Sequence, residues 1–279
     1  DGAWTWASAA SVVSDRNLED VAKNKLQTAL SNIPNFNEFS KAVEQVKGNL
    51  AVSGDAVRNA YADKAIESLD IELHGLNSET SLLSESAEHK YALQDNDGNT
   101  LIPLIRSEGK AENVFSTEDG TITFTIVPQE NNAVDMETTS REKSFTADSL
   151  IYDIFNGRIL DPSNRAMADI DANRLGIVDN TNIINNEMSP YEAAVLMSQF
   201  NLTLPSEHEN TLANVVANVF DRSSNVDNDA NKTLAFFDIL RASNSQTGLN
   251  TLKKLGAFKQ DFPTLHELGD EEWDTLVQG

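Results

Sequence analysis

The sequence predicts an α+β protein in which a helical N-terminal part, a small antiparallel β unit and a helical C-terminal part follow one another. Before residue 77, apolar residues recur at steps of three and four. Between residues 89 and 145 they alternate with polar residues, and from residue 146 the helical period returns. Changes in composition accordingly divide the chain into a helical region, 1–76, a linker, 77–88, a β unit, 89–145, and a second helical region, 146–279.

Three apolar runs predict helices in the first region, because each run places its apolar side chains on one helical face. They extend over residues 18–33, 36–50 and 57–69, and Pro34 separates the first two. Gly75 is the predicted stop of the last helix, since glycine is common just beyond helix ends.

The middle of the chain carries the signals of β-hairpins. After the polar, Ser-rich linker, apolar runs flank the turn sequence at 95–99, in which Gly98 can supply a positive φ. A second turn, Glu118-Asp119-Gly120, precedes a stretch in which Ile122, Phe124 and Ile126 alternate with polar residues. These patterns predict an antiparallel unit.

The C-terminal region predicts helices again. One covers 150–155 and is closed by Asn156-Gly157, and others begin at Ser189 and Ser206. Glu192 completes a capping box with Ser189, a typical helix start. Further helices are predicted from residue 236, around 252–258 and around 270–277.

Charge restricts the expected partners. The chain has 44 acidic and 21 basic residues, a net charge of −23, and no cysteine. A surface this acidic predicts no binding to nucleic acid, because phosphate recognition needs Lys and Arg. No apolar run approaches the roughly 20 residues of a membrane helix, so no membrane insertion is expected. Protein partners, self-assembly or cations fit this charge better.

One loop-like stretch suggests a cation ligand set at 227–238, where oxygen-bearing side chains fall at alternate positions. The candidate ligands are Asp227, Asp229, Asn231, the carbonyl of Thr233, and Asp238. Their order and the flanking helical patterns resemble an EF-hand, and the resemblance implies calcium as the cofactor. Lys232 stands where that family has glycine and Asp238 where it has glutamate, so the expected affinity is weak, roughly 10⁻⁴–10⁻³ M.

A second candidate loop is expected because EF-hands usually occur in pairs. The stretch 169–192 repeats the alternation of oxygen-bearing residues, although no single frame fits both of its ends. It is either a degenerate loop with an insertion or an Asn-rich connection before a well-capped helix. The candidate ligands here are Asp169, Asp171, Asn173, Asp179 and Glu192.

No catalytic motif supports an enzyme, since phosphate loops, nucleophile elbows and metal-spaced histidines are all missing from the sequence. The sequence therefore predicts a non-enzymatic structural or binding protein with structure-supporting calcium loops. The alternatives are a proteolytically matured phage or virion component and a hydrolase with paired carboxylates. Because the chain starts at Asp1, we expect a processed or trimmed product, with an exported, extracellular or virion location favoured.

Overall fold

The computed structural model describes residues 18–76, 83–85, 90–109, 113–128, 136–219 and 226–278. The predicted α+β class is confirmed: helices and one mixed sheet make up the described structure. The strands are β1 (Asn49–Ser53), β2 (Asp70–His74), β3 (Leu83–Glu85), β4 (Lys90–Gln94), β5 (Thr100–Arg106), β6 (Val114–Thr117), β7 (Thr123–Ile126), β8 (Ile151–Asp153) and β9 (Arg158–Leu160).

The described strands form one sheet in the order β3-β4-β5-β6-β7-β2-β1-β8-β9. All neighbours are antiparallel except β2 and β7, which run parallel. The parallel pair joins the meander β3–β7 to the strands β1, β2, β8 and β9, so the β unit predicted as separate continues into a larger sheet.

The helices precede, interrupt and follow the sheet. They are α1 (18–31), α2 (Phe36–Gln45), α3 (Asp55–Tyr61), α4 (Thr138–Arg141), α5 (Ala166–Asp171), α6 (Ser189–Phe200), α7 (Ser206–Val219), α8 (Val226–Arg241), α9 (Ser245–Leu255), α10 (Phe258–Asp261), α11 (Pro263–His266) and α12 (Asp270–Gln278). None of the helices in the described ranges has the length and apolar character needed to span a membrane.

The chain divides into two compact units. The first comprises Asp1–Ser140 and Asp148–Pro162 and contains the whole sheet. The second comprises Arg141–Ala147 and Ser163–Gly279 and contains α5 to α12.

Strands β1 and β2 lie in the region that the sequence predicted to be helical, and that prediction is wrong there. Leu50 was assigned to the end of one helix, and Gly75 was predicted as the stop of the last one, yet the chain is extended over 49–53 and 70–74. Strand β1 is buried along most of its length and shows no clear alternation, so periodicity alone cannot separate it from a helix end. Strand β2 does alternate, but five residues are too few to override the helical pattern that precedes them. The helices predicted at 18–33 and 36–50 are present in shortened form.

The apolar face of β1 and β2 packs against α2. Leu50 pairs with Leu73, and Val52 pairs with Ile71, so these side chains share one face. Their side chains are buried, and the ring of Phe39 on α2 lies 5.0 Å from the ring of Phe124 on β7. This contact fixes α2 over one side of the sheet.

The hairpin turns of the β unit are where the sequence placed them. Gly98 has φ 81° and Gly120 has φ 71°, conformations that glycine adopts without steric cost. In the first turn, the Asp95 carboxylate accepts hydrogen bonds from the backbone N–H groups of Asp97 and Asn99. The predicted linker contains β3, while its residues 77–82 and 86–88 lie outside the described residues.

The helix predicted over 150–155 is instead a β-hairpin. Strands β8 and β9 pair in register Ile151↔Leu160, and Gly157, with φ 63°, lies in the turn. The Asn-Gly pair was interpreted as a helix stop, but it is equally typical of the tight turn of a β-hairpin.

In the second unit, α6 packs against α7, α8 and α9. It begins at Ser189, as predicted, but the predicted capping box is wrong: Met188 is the N-cap residue, and its side chain forms no capping hydrogen bond. The Ser189 hydroxyl instead donates to the Ile183 carbonyl. The core around it contains Leu196, Met197 and Leu212. Because α6 is buried on most of its circumference, it organises the helices on either side of it.

Candidate functional site

The sheet carries a polar face opposite α2, centred on β2. Asp70, Glu72 and His74 occupy alternate positions of that strand, so their side chains leave the sheet on the same side. Ile71 and Leu73 point to the apolar side and are buried there. The Cα atoms of Asp70 and Glu72 are therefore about 7 Å apart on one surface.

Strand register extends this polar face to both sides of β2. Glu72 pairs with Ala51 on β1 and with Thr125 on β7, and Ala51 pairs in turn with Asp153 on β8. In this row of the sheet, the small side chain of Ala51 thus has one carboxylate on each side, that of Glu72 and that of Asp153. In the neighbouring row, Asp70 pairs with Ser53.

The Glu72 carboxylate is buried but hydrogen-bonded. Only 7% of Glu72 is exposed, and its Oε1 atom accepts from the Thr139 hydroxyl at 3.1 Å. The same oxygen lies 3.4 Å from Nε2 of His74, which is fully buried. A carboxylate out of water needs such partners, so the local structure is built to keep Glu72 in place.

Exposure changes along β2, and the accessible end of the polar face is the Asp70 end. Asp70 is exposed, Glu72 is nearly covered and His74 is inaccessible. At the accessible end, β1 finishes at Ser53, and Gly54 turns the chain into α3 with φ 73° and ψ −129°. Glycine tolerates this conformation and allows a ligand to approach the backbone closely.

An ion pair fixes the turn that follows β1. Arg58 on α3 is buried, and its Nη1 atom lies 2.5 Å from Asp148 Oδ1 and 3.4 Å from Asp55 Oδ1. The backbone N–H groups of Val57 and Arg58 donate to the Gly54 carbonyl. Arg58 therefore anchors α3 beside the polar face, since Asp148 lies just before β8.

The third acidic residue of the polar face, Asp153, forms hydrogen bonds within the β8–β9 hairpin. Its carboxylate accepts from the backbone and side-chain nitrogens of Asn156, which stabilises the β8–β9 turn. In the described part of the chain, no three Asp, Glu or His side chains are grouped so as to hold a metal ion by themselves. Mg²⁺, however, is commonly bound by one or two carboxylates that share it with substrate phosphates. Asp70 and Glu72 fit that donor set.

The candidate calcium loop at 227–238 is part of a helix. Asp227, Asp229, Asn231, Thr233 and Asp238 all lie within α8, which is continuous from Val226 to Arg241. Residues two apart on a helix differ by about 200° in direction, so the alternating oxygens do not converge as a calcium loop requires. Lys232 occupies the position at which an EF-hand loop would make its sharp turn. In the structure it is 4% exposed, and its Nζ atom lies 3.4 Å from Glu187 Oε2 and 3.2 Å from Asp261 Oδ1.

The five ligands proposed at 169–192 have separate positions in the second unit. Asp169 is buried on α5, accepts from the Thr146 hydroxyl at 2.7 Å and pairs with Arg174. Asp171 is exposed at the end of α5, Asn173 follows it with φ 51°, and Glu192 is exposed on α6. Asp179 caps the short 3₁₀ turn 180–182 by accepting from Thr181, which lowers the pKa of its carboxyl. Calcium binding by either group stays a prediction.

Sequence reasoning missed the Asp70-Glu72-His74 set, although a signal was present. Three ionisable residues alternate there with Ile71 and Leu73, which is the pattern of a strand with one polar and one apolar face. The stretch was assigned to a helix end, where the same residues would point in different directions. The secondary structure had to be right before the site could be recognised.

Comparison with known proteins gives similarity of fold. No protein-family model matches the chain, and no curated protein matches it in sequence. Among solved structures, a CCA-adding enzyme in its apo form I superposes with a TM-score of 0.59 and 13% identity, over 86% of this chain and 55% of that one. The Thermotoga maritima CCA-adding enzyme complexed with tRNA gives 0.58 and 13%, over 85% and 55%. A tRNA-processing enzyme complex gives 0.61 and 11%, over 85% and 60%.

These similarities correct the functional predictions. The chain has the fold of enzymes, solved with CTP and with tRNA, so the predicted non-enzymatic calcium, structural or virion protein is wrong. The exclusion of nucleic acid as a partner is overturned by the same finding, because overall charge does not describe local surfaces. The chain spans little more than half the length of the first of these structures.

Proposed function

We propose that this chain is a nucleotidyltransferase that binds a nucleoside triphosphate on the polar face of its sheet and transfers the nucleotide to an RNA end. The observation that supports this most directly is the placement of Asp70 and Glu72. They lie two residues apart on one face of β2, beside the Gly54 turn, in a fold otherwise seen in CCA-adding enzymes.

The charge of the chain determines how a triphosphate is held. A substrate with several negative charges is repelled by carboxylates unless cations lie between them. Divalent cations, when bound, neutralise phosphate oxygens and stabilise the charge that develops during phosphoryl transfer. Asp70 and Glu72 supply hard oxygen ligands for such ions, and neither needs a third protein carboxylate if the phosphates complete the set.

The other residues of the face position the substrate. Ser53 and Gly54 lie next to Asp70, where the backbone is accessible to a phosphate because glycine has no side chain. Ala51 keeps the row beside Glu72 free of bulk. The Arg58–Asp148 pair fixes α3 and hence the turn, so that the geometry exists before substrate binds.

RNA binding is compatible with the net charge of −23 if it is local and dependent on salt. Each phosphate contact to Lys or Arg releases counterions, so affinity falls steeply as salt rises. We therefore expect an RNA complex at low salt that weakens strongly at physiological salt.

The experiment measures incorporation of radiolabelled CTP or ATP into tRNA lacking its 3′-terminal nucleotides, with Mg²⁺ or Mn²⁺ present. Wild-type protein should extend the tRNA, and Asp70→Asn should lower the rate by about 100-fold or more, because it removes a cation ligand. The matched control is Glu67→Gln, which removes one negative charge from an exposed position outside the polar face. Equal rates for wild type and Asp70→Asn, or no incorporation by wild type, would rule out this function.

A further inference from the structure

Two side chains, those of Thr139 and His74, contact the same oxygen of Glu72. Thr139 approaches from α4 and donates its hydroxyl hydrogen to Oε1 at 3.1 Å, and His74 lies one strand repeat further along β2 with Nε2 at 3.4 Å from that atom. Within the described residues, the Glu72 carboxylate makes its hydrogen-bond contacts through Oε1. The second carboxylate oxygen is the one left to offer to a cation.

This arrangement fits a requirement of glutamate. A glutamate side chain has one more rotatable bond than aspartate, so it loses more freedom when a ligand fixes it. Asp70, with the shorter side chain, is exposed, whereas Glu72 is held by partners on two elements. Hydrogen bonds to a ligating carboxylate orient it before the metal arrives.

The position of Thr139 is itself determined by the fold. Its neighbour Ser140 is buried and donates its hydroxyl hydrogen to the Ser149 carbonyl, which precedes β8. Helix α4 is therefore tied to the strand next to β1, and Thr139 cannot move freely from Glu72. The strand and the helix together define the carboxylate position.

We propose that His74 and Thr139 are positioning residues that orient Glu72 for a divalent cation. This inference rests on the proposed function, because it takes Glu72 as a cation ligand. The opposing explanation is that both residues only satisfy a buried carboxylate and stabilise the fold. The two explanations differ in one observable: positioning changes cation affinity in a protein that remains folded.

The experiment titrates the intact chain with Mn²⁺ alone and follows free Mn²⁺ by electron paramagnetic resonance. Thr139→Val keeps the shape of the side chain and removes the donor, so we expect Mn²⁺ affinity to fall about 10- to 100-fold. Thr139→Ser retains the hydroxyl and should bind close to wild type. Thr138→Val, on the same helix at an exposed position, is the matched control and should leave affinity unchanged.

His74 is tested by a similar pair, with thermal melting of each variant alongside. His74→Leu removes the donor and should weaken Mn²⁺ binding about 10- to 100-fold, while His74→Gln places an amide N–H near the former Nε2 and should recover part of it. If His74→Leu is unfolded, the Thr139 pair decides the question.

The outcomes separate this inference from the proposed reaction. Wild-type Mn²⁺ affinity in Thr139→Val, with or without a lower melting temperature, overturns the positioning role. Mn²⁺ binding that needs Asp70 and Thr139, without nucleotide transfer, supports the positioning role and refutes the reaction. If wild-type protein binds no Mn²⁺ either alone or together with CTP, Glu72 is not a cation ligand and both proposals are wrong.

Discussion

Two polar stretches of this chain place oxygen-bearing side chains at the same spacing in sequence, but the backbone directs these side chains differently in each. Asp70 and Glu72 are separated by one residue on strand β2, and Asp229 and Asn231 are separated by one residue on helix α8. On the strand, that spacing puts both side chains on one face. On the helix, it turns them about 200° apart.

The spacing of ligand residues has no structural meaning until the backbone conformation is known. Alternating oxygens indicate a site on an extended strand or in a tight loop, and they indicate dispersed charges on a helix. The sequence pattern predicted a site in the helical stretch, because that stretch is richer in Asp and Asn. The stretch on the strand has fewer acidic residues and the more favourable geometry.

The largest expected effect comes from the lysine in the helical stretch. Lys232→Met should destabilise the protein by about 3–5 kcal/mol, because Glu187 and Asp261 then face each other without the buried cation between them. The measurement is urea unfolding, with Arg241→Met as control. The Arg241 side chain is 77% exposed, and its pairing with Asp238 should contribute less than about 1 kcal/mol. In a calcium loop, removing this positive charge would instead raise stability when calcium is added, and that result would restore the loop.

The second largest expected effect is on Mn²⁺-dependent CTP binding, measured for one substitution in each of the two stretches. Asp70→Asn should weaken Mn²⁺-dependent CTP binding by about 100-fold, equivalent to about 2.7 kcal/mol, whereas Asp229→Asn should leave it within about twofold. Both substitutions remove one exposed carboxylate, so they change the net charge equally. Isothermal titration at fixed salt gives both constants. Equal losses for the two variants would mean that overall charge, rather than the polar face, governs binding.

A smaller effect is expected in the second candidate group. Asp169→Asn should destabilise the protein by about 1–3 kcal/mol, because Thr146 and Arg174 lose a buried acceptor. The loss should be the same with and without calcium, as measured by urea unfolding in calcium and in chelator. Asp171→Asn, at an exposed position two residues on, should change stability by less than about 0.5 kcal/mol. A loss for Asp169→Asn that appears only in calcium would make this residue a ligand.

The carboxylate of Asp169 lies in closely packed surroundings. A Cβ atom added at Gly176 would lie 1.9 Å from Asp169 Oδ2 and 2.4 Å from Thr146 Oγ1. The lack of a side chain at Gly176 provides the room for the Thr146–Asp169 hydrogen bond.

The sequence predicted the parts of the fold that depend on local signals. The Asp-Gly turns at 97–98 and 119–120 and the helix starts at Ser189 and Ser206 depend on a few neighbouring residues, and the structure confirms them. Strands β1, β2 and β8 depend on partners far along the chain. Strand β1 is covered on both faces and β8 has only three residues, so neither carries an alternation that identifies it. Strand β2 does alternate, but its five residues follow a helical pattern and were assigned to the end of that helix.

The candidate site failed to emerge from the sequence for the same reason. Its geometry arises from the register of β2 with β1 and β7 and from the contact of Thr139 with Glu72, which are 67 residues apart. Such contacts are set by tertiary packing, and no local pattern encodes them. The alternation of Asp70 and Glu72 with apolar residues is visible in the sequence, but the strands and the helix that pack beside them are not.

The smallest effect concerns a third structural setting for an aspartate, the β6–β7 turn. Asp119 accepts hydrogen bonds from the Thr117 and Thr121 hydroxyls and from the Thr121 backbone N–H, which lower the pKa of its carboxyl to about 2 from the ordinary 3.8. A folded-state pKa below the unfolded value means that the stabilisation is complete above about pH 4. It is then lost as the pH falls through about 2.

Asp119→Asn should therefore lower stability slightly at pH 6 and converge with wild type near pH 2, because the wild-type carboxyl is then protonated and no longer a strong acceptor. Urea unfolding at pH 6, 4, 3 and 2 measures the difference, with Glu118→Gln as the exposed neighbouring control. The effect is small because Asp119 is at the surface, where water competes for the same oxygens. The free energies of unfolding of Asp119→Asn and wild type could instead differ by the same amount at every pH. That result would show that the hydrogen bonds of the turn do not depend on the charge of the Asp119 carboxylate.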